Sequence, residues 1–82
     1  MSIVFYSRWD CPLCDDAWEW LQQCCTAKVD WRDISADPAL EQRYGWSVPV
    51  LVLNDGQEFC LADPEQRRAA QLALASIVGA PG

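Results

Sequence analysis

The sequence predicts an α/β domain in the order β-α-β-α-β-β-α, a mixed four-stranded sheet flanked by three helices. Three observations carry this. The apolar run Ile3-Val4-Phe5-Tyr6 leads within a few residues into a helical pattern opened by Cys11-Pro12-Leu13-Cys14. Two Asp-Pro pairs, Asp37-Pro38 and Asp63-Pro64, each stand before a helical pattern, with Asp suited to the N-cap and Pro to the first turn. Asn54-Asp55-Gly56 separates two strand-like runs as a hairpin turn would.

Residues 3–7 have the length of a buried strand, and residues 8–10 form a loop. From Pro12 a helix is expected to about residue 25 or 26, with Leu13, Ala17, Trp20, Leu21 and Cys24 at helical spacing. Residues 28–34 alternate as a second strand. A second helix starts at Asp37, carries Leu40 and Tyr44 on one face, and is capped by Gly45. Residues 48–53 make the third strand and 57–60 the fourth. The last helix starts at Asp63, with Gln66 at the capping-box position, and runs to about Val78. The first β-α-β unit implies a parallel strand pair by the right-handed crossover rule, and the hairpin implies an antiparallel one. Residues 1–82 read as a single domain.

The 82 residues carry a net charge of −6, which argues against nucleic acid and anionic membrane surfaces as partners. With no histidine, imidazole catalysis and histidine metal ligation are excluded. No apolar stretch is long enough to span a membrane. The N-terminus passes from Met-Ser straight into a strand-like run, without the pattern of a secretory signal, so a cytoplasmic location is expected. Five cysteines, an odd number, fit a reducing compartment with one functional pair better than a disulfide framework.

Cys11 and Cys14 at a helix start have the spacing of a dithiol redox site. The first thiol meets the helix dipole and unpaired backbone N–H groups, and the second lies one turn on. Arg8 and the helix terminus favour a thiolate at Cys11, and Asp10, Asp15 and Asp16 oppose it. C-x-x-C also serves in four-thiolate metal sites. Here Cys24 lies ten residues beyond Cys14 on the same helix, about 15 Å away, so one ion cannot reach both. No metal site is assigned. Cys24 and Cys25 read as helix-end packing residues and Cys60 as a strand residue. Trp18, Trp20 and Trp31 are expected in the core or as half-buried cover. Trp9, just before Cys11, and Trp46, just before Pro49, are placed along one groove beside the dithiol. An acidic rim with two aromatic walls suits a protein or peptide partner.

The element order, together with Tyr6-Ser7-Arg8-Trp9-Asp10-Cys11-Pro12-Leu13-Cys14, Val48-Pro49-Val50-Leu51 and Asp55-Gly56, resembles the thioredoxin fold. Within it the chain looks like the glutaredoxin-like branch, and most like small bacterial glutaredoxin-like proteins. The resemblance implies that Cys11 is the exposed nucleophile and Cys14 the buried resolving thiol. It implies a cis bond before Pro49 and a Val48 backbone open to pair with a peptide or glutathione. Arg8 stands where glutaredoxins usually carry a lysine that helps bind glutathione; as a residue it reads equally as a solvated loop charge. The chain departs from the family at Cys60-Leu61-Ala62-Asp63-Pro64, where glutaredoxins have a Gly-Gly turn that holds the γ-glutamyl carboxylate.

The expected function is thiol–disulfide exchange through Cys11 and Cys14, with Arg8, Trp9, Val48 and Pro49 binding the substrate. The substrate is a protein or small-molecule disulfide. No bound cofactor is expected, glutathione is a candidate co-substrate, and the chain is expected to be a monomer. Two other readings are a peptide-binding module without turnover and, from the resemblance alone, a glutathione-assisted iron–sulfur cluster carrier.

Overall fold

The computed structural model describes residues 3–9, 11–24 and 28–78. Among these the chain forms β1 (Ile3–Ser7), α1 (Pro12–Cys24), β2 (Val29–Asp33), a 3₁₀ turn (Ile34–Ala36), α2 (Pro38–Tyr44), β3 (Val50–Val52), β4 (Glu58–Cys60) and α3 (Pro64–Val78). The sheet order is β2-β1-β3-β4. β1 runs parallel to β2 and antiparallel to β3, and β3 runs antiparallel to β4, as the crossover and hairpin arguments require.

Period-two alternation divides the interior into two layers. From β1, Ile3 and Phe5 join Leu51 and Leu53, and on this face they meet Ala17 and Leu21 of α1 and Ala70 and Leu74 of α3. Tyr6, Val50 and Val52 belong to the other layer, with Ile34, Leu40 and Tyr44. Tyr6 stacks on Tyr44 with ring centroids 4.7 Å apart, which seats α2 against the sheet. Thus α1 and α3 cover one face and α2 the other.

The caps act as their residue types dictate. The Asp37 side chain accepts from the backbone N–H groups of Ala39 and Leu40 at 3.0 and 3.4 Å. Asp63 accepts from Glu65 N–H at 3.0 Å. Gly56 has φ +91° in the hairpin turn, a conformation that costs glycine no steric strain.

Four details differ from the sequence expectation. The 3₁₀ turn after β2 is additional, and the Asp33 carboxylate caps it through Ser35 N–H at 2.9 Å. The third strand is confined to Val50–Val52, because residues 45–47 form a turn and Pro49 lies in a bend before the strand begins. Gln66 does not close a capping box on Asp63; its side-chain oxygen instead accepts from Cys60 N–H at 2.7 Å, tying α3 to β4. Leu13 is 60% exposed, since the buried stripe of α1 is Cys14, Ala17 and Leu21. Leu13 sits one position off that stripe, about 100° around the helix.

Candidate active site

β1 ends at Ser7, and the chain returns as α1 at Pro12, so Cys11 falls at the N-cap. The Cys11 carbonyl accepts the first helical bond, from Asp15 N–H at 3.0 Å. At this position a side chain faces the unpaired N–H groups of the first turn. Cys11 is partly exposed, whereas Cys14 is 1% exposed. Burial pushes the Cys14 thiol up to about 12, and the adjoining Cys11 thiol adds to the shift. The Ser7 hydroxyl and the Arg8 backbone amide act on the same sulfur in the opposite sense.

Arg8 leaves β1 toward α2. Its Nη1 donates to Glu41 Oε2 at 3.0 Å, its Nη2 to Glu41 Oε1, and Nη2 also to the Gly45 carbonyl at 3.2 Å. The last contact places a cation at the C-terminal end of α2, where the helix dipole favours it. A Cβ at Gly45 would collide with the Glu41 carbonyl and lie 3.1 Å from Arg8 Nη2, which accounts for glycine here. Gly45 caps α2 in an ordinary right-handed conformation, φ −53°. Glu41 raises the Arg8 pKa by hydrogen bonding, and Cys11 lies near enough to add a smaller Coulombic contribution.

The Val48–Pro49 bond is cis, and Pro49 is fully buried. The turn before it is tied down from three directions. Ser47 and Val48 N–H donate to the Tyr44 carbonyl at 2.8 and 3.1 Å, Cys60 Sγ donates to the Ser47 carbonyl at 3.1 Å, and Leu61 N–H donates to the Pro49 carbonyl at 2.8 Å. The Val48 N–H is therefore engaged within the chain, and a substrate pairing through it must displace that bond. Cys60 is a strand residue that fastens this turn.

Trp9 is 78% exposed and meets Trp31 edge to face, with centroids 6.5 Å apart. Trp9, Trp31, Arg8 and Asp15 line a cleft of about 270 Å³. Trp46 is fully exposed and lines a second hollow with Arg8, Glu41, Gln42 and Gly45. The two tryptophans thus border two hollows that share Arg8. Trp31, expected in the core or as half-buried cover, is 38% exposed and forms a wall of the first cleft. It alternates with charged neighbours on β2, an edge strand of the sheet. Trp18 and Trp20 do pack as cover, Trp18 against Phe5 at 5.2 Å and Trp20 beneath the Arg67 guanidinium at 5.3 Å. Asp16 pairs with Arg67 at 3.3 Å, while Asp10 and Cys25 lie outside the described residues. Cys24 packs against the core at the far end of α1. Among the described residues no three Cys, Asp or Glu side chains converge as a metal site. No helix is long and apolar enough to cross a membrane.

Glu41 and Ser7 were missed by sequence reasoning. Glu41 reads as a surface helix residue until α2 is folded back over the loop. Ser7 is the third residue of the inward row Ile3, Phe5, Ser7, and that period was the available signal.

No curated protein matches the sequence. Among solved structures, XcR50 from X. campestris is 38% identical over 88% of this chain and 97% of its own, with a TM-score of 0.75. The thioredoxin-like protein BC3987 is 25% identical, covering 83% and 97% of the two chains, with a TM-score of 0.63. Ne2328 from Nitrosomonas europaea is 27% identical over 84% and 88%, with a TM-score of 0.61. The fold is accordingly α/β and thioredoxin-like. Residues 2–73 match the profile of the Glutaredoxin-like domain (DUF836), and the chain belongs to that glutaredoxin-like family of the thioredoxin fold.

Proposed function

We propose that the chain is a dithiol–disulfide oxidoreductase. The observation that supports this most directly is the asymmetry of the pair: Cys11 is partly exposed at a helix N-cap, and Cys14 is buried one turn on with its proton held tightly. Thiol–disulfide exchange needs a reachable nucleophile and a protected second thiol. The Cys11 thiolate attacks one sulfur of a substrate disulfide, giving a mixed disulfide and one substrate thiolate, which takes up a proton. Cys14 loses its proton and attacks Cys11 Sγ, releasing the second substrate thiolate. The substrate disulfide is reduced by two electrons, and Cys11–Cys14 becomes the disulfide.

In this reading Trp9 and the Val48–Pro49 turn hold the substrate beside Cys11, and Arg8 offers a cation once Glu41 yields it. The substrate is a protein or peptide disulfide, with glutathione as a candidate co-substrate and the cytoplasm as a suitably reducing setting. The chain acts as a monomer without a resident cofactor.

The test is the reduction potential of the Cys11–Cys14 couple in defined thiol buffers, together with reduction of bis(2-hydroxyethyl) disulfide. A reversible couple, with turnover lost in Cys11→Ser, is the expected result. Absence of a reversible couple would sink the reading. A visible absorbance band in freshly purified protein would point instead to an iron–sulfur cargo.

A further inference from the structure

Ile3, Phe5 and Ser7 share the inward face of β1, and the first two belong to the apolar core. Ser7 is 0% exposed, and its Oγ has no hydrogen-bond partner among the described residues. A buried hydroxyl without a partner costs stability, and an alanine would avoid that cost. The hydroxyl nevertheless lies close enough to the Cys14 sulfur to favour its charged form, without a hydrogen bond of normal geometry in the dithiol state. A thiol is a weak acceptor, so it satisfies the hydroxyl poorly; a thiolate carries a full charge and accepts strongly.

We propose that Ser7 is a catalytic hydrogen-bond donor to the Cys14 sulfur, satisfied only as that sulfur becomes a thiolate, and that it thereby speeds the resolving step. This rests on the dithiol reading above. The Cys11 thiol disfavours charge on Cys14, and the Arg8 amide and Ser7 hydroxyl favour it. The two donors are consecutive at the end of β1. A donor that gains its partner as charge develops lowers a barrier without tightening the resting state. In the mixed disulfide, the Cys14 proton passes to solvent, the Cys14 thiolate bonds to Cys11 Sγ, and the Cys11–substrate bond breaks. The substrate thiolate leaves with the electron pair and is protonated by solvent, while Ser7 keeps its own proton.

The test is stopped-flow reaction of the reduced full chain with a limiting amount of dithiobis(nitrobenzoate). Attack by Cys11 releases the first thionitrobenzoate and resolution by Cys14 the second, the latter assigned by its loss in Cys14→Ser. Ser7→Ala should leave the first phase within about twofold and slow the second about 10–100-fold near neutral pH. It should also move the pH midpoint of the second phase upward and leave the urea midpoint of the dithiol form no lower than wild type. Ser7→Gly, which also lacks the hydroxyl, replaces it should the alanine chain fail to fold. Equal second phases in wild type and variant overturn the proposal. So does a slowed second phase with an unmoved pH midpoint, which marks a packing role. A wild type that releases no second equivalent sinks the dithiol reading itself, before any Ser7 variant is compared.

Discussion

Arg8 and Glu41, 33 positions apart, meet as a two-point ion pair beside the candidate site, and Arg8 reaches on to the Gly45 carbonyl at 3.2 Å. A planar guanidinium matches a carboxylate fork in this way, so the charge expected to attract an anion already has an internal partner. The pair also joins the loop before Cys11 to α2, the helix that packs on the opposite face of the sheet from α1.

Releasing Arg8 should change substrate preference. Glu41→Gln keeps the shape of the side chain and removes its charge. The expected outcome is a rise of about three- to tenfold in kcat/KM for oxidised glutathione, an anionic disulfide, and a steeper salt dependence. Reduction of neutral bis(2-hydroxyethyl) disulfide should stay within about twofold. Parallel kinetics at low and high salt check this; equal changes for both substrates would contradict it.

The buried thiol gives the reduced protein a signature in alkali. Cys14 is raised from 9.0 to about 12 by burial and by Cys11. Between these values the unfolded chain has lost the Cys14 proton while the folded chain retains it. The folded state binds more protons there, so stability falls as pH rises through that window, by at most about 1.4 kcal/mol per pH unit from this group. The contribution is fully present below pH 9, the unfolded value. Urea unfolding of the reduced protein at pH 7 to 10.5 should show the decline, and Cys14→Ala should flatten it.

Two aromatic truncations should separate binding from folding. Trp9 is 78% exposed and Phe5 0% exposed. Trp9→Ala should keep stability within about 0.5 kcal/mol, as surface changes usually do, while raising KM for a peptide disulfide. Phe5→Ala should cost about 3–5 kcal/mol, comparable to the whole stability of a domain this small, and leave the chain largely unfolded. Circular dichroism melts beside peptide-disulfide kinetics distinguish the two.

The α2 cap offers a milder lever on the same region. The Asp37 carboxylate accepts from Ala39 and Leu40 N–H, and its loss leaves first-turn donors unpaired. Asp37→Ala should lower stability by about 1 kcal/mol, and Asp37→Asn or Asp37→Ser should recover most of it. Urea midpoints of the three variants check the order.

Much of the fold was legible because its signals are local. Asp37-Pro38 and Asp63-Pro64 cap helices with their own next residues, Gly56 supplies its own positive φ, and the apolar run of residues 3–7 marks a strand without reference to the rest of the chain. Leu13 was misplaced because periodicity reports a side chain's direction and not whether anything covers it. Gln66 has the capping-box spacing, but Cys60 N–H, brought beside it by the sheet, takes its oxygen.

The sequence by itself determined the order of elements, the family, and the position of Cys11-x-x-Cys14 at a helix start, since each depends on residues a few places apart. Only the tertiary structure decided that Arg8 is held by Glu41, that Cys14 is sealed from solvent while Cys11 is not, that Trp9 faces Trp31, and that the Ser7 hydroxyl is buried with no hydrogen-bond partner among the described residues. Each of these is set by which distant surface comes to rest on a side chain, and that is settled when helices and sheet close over one another.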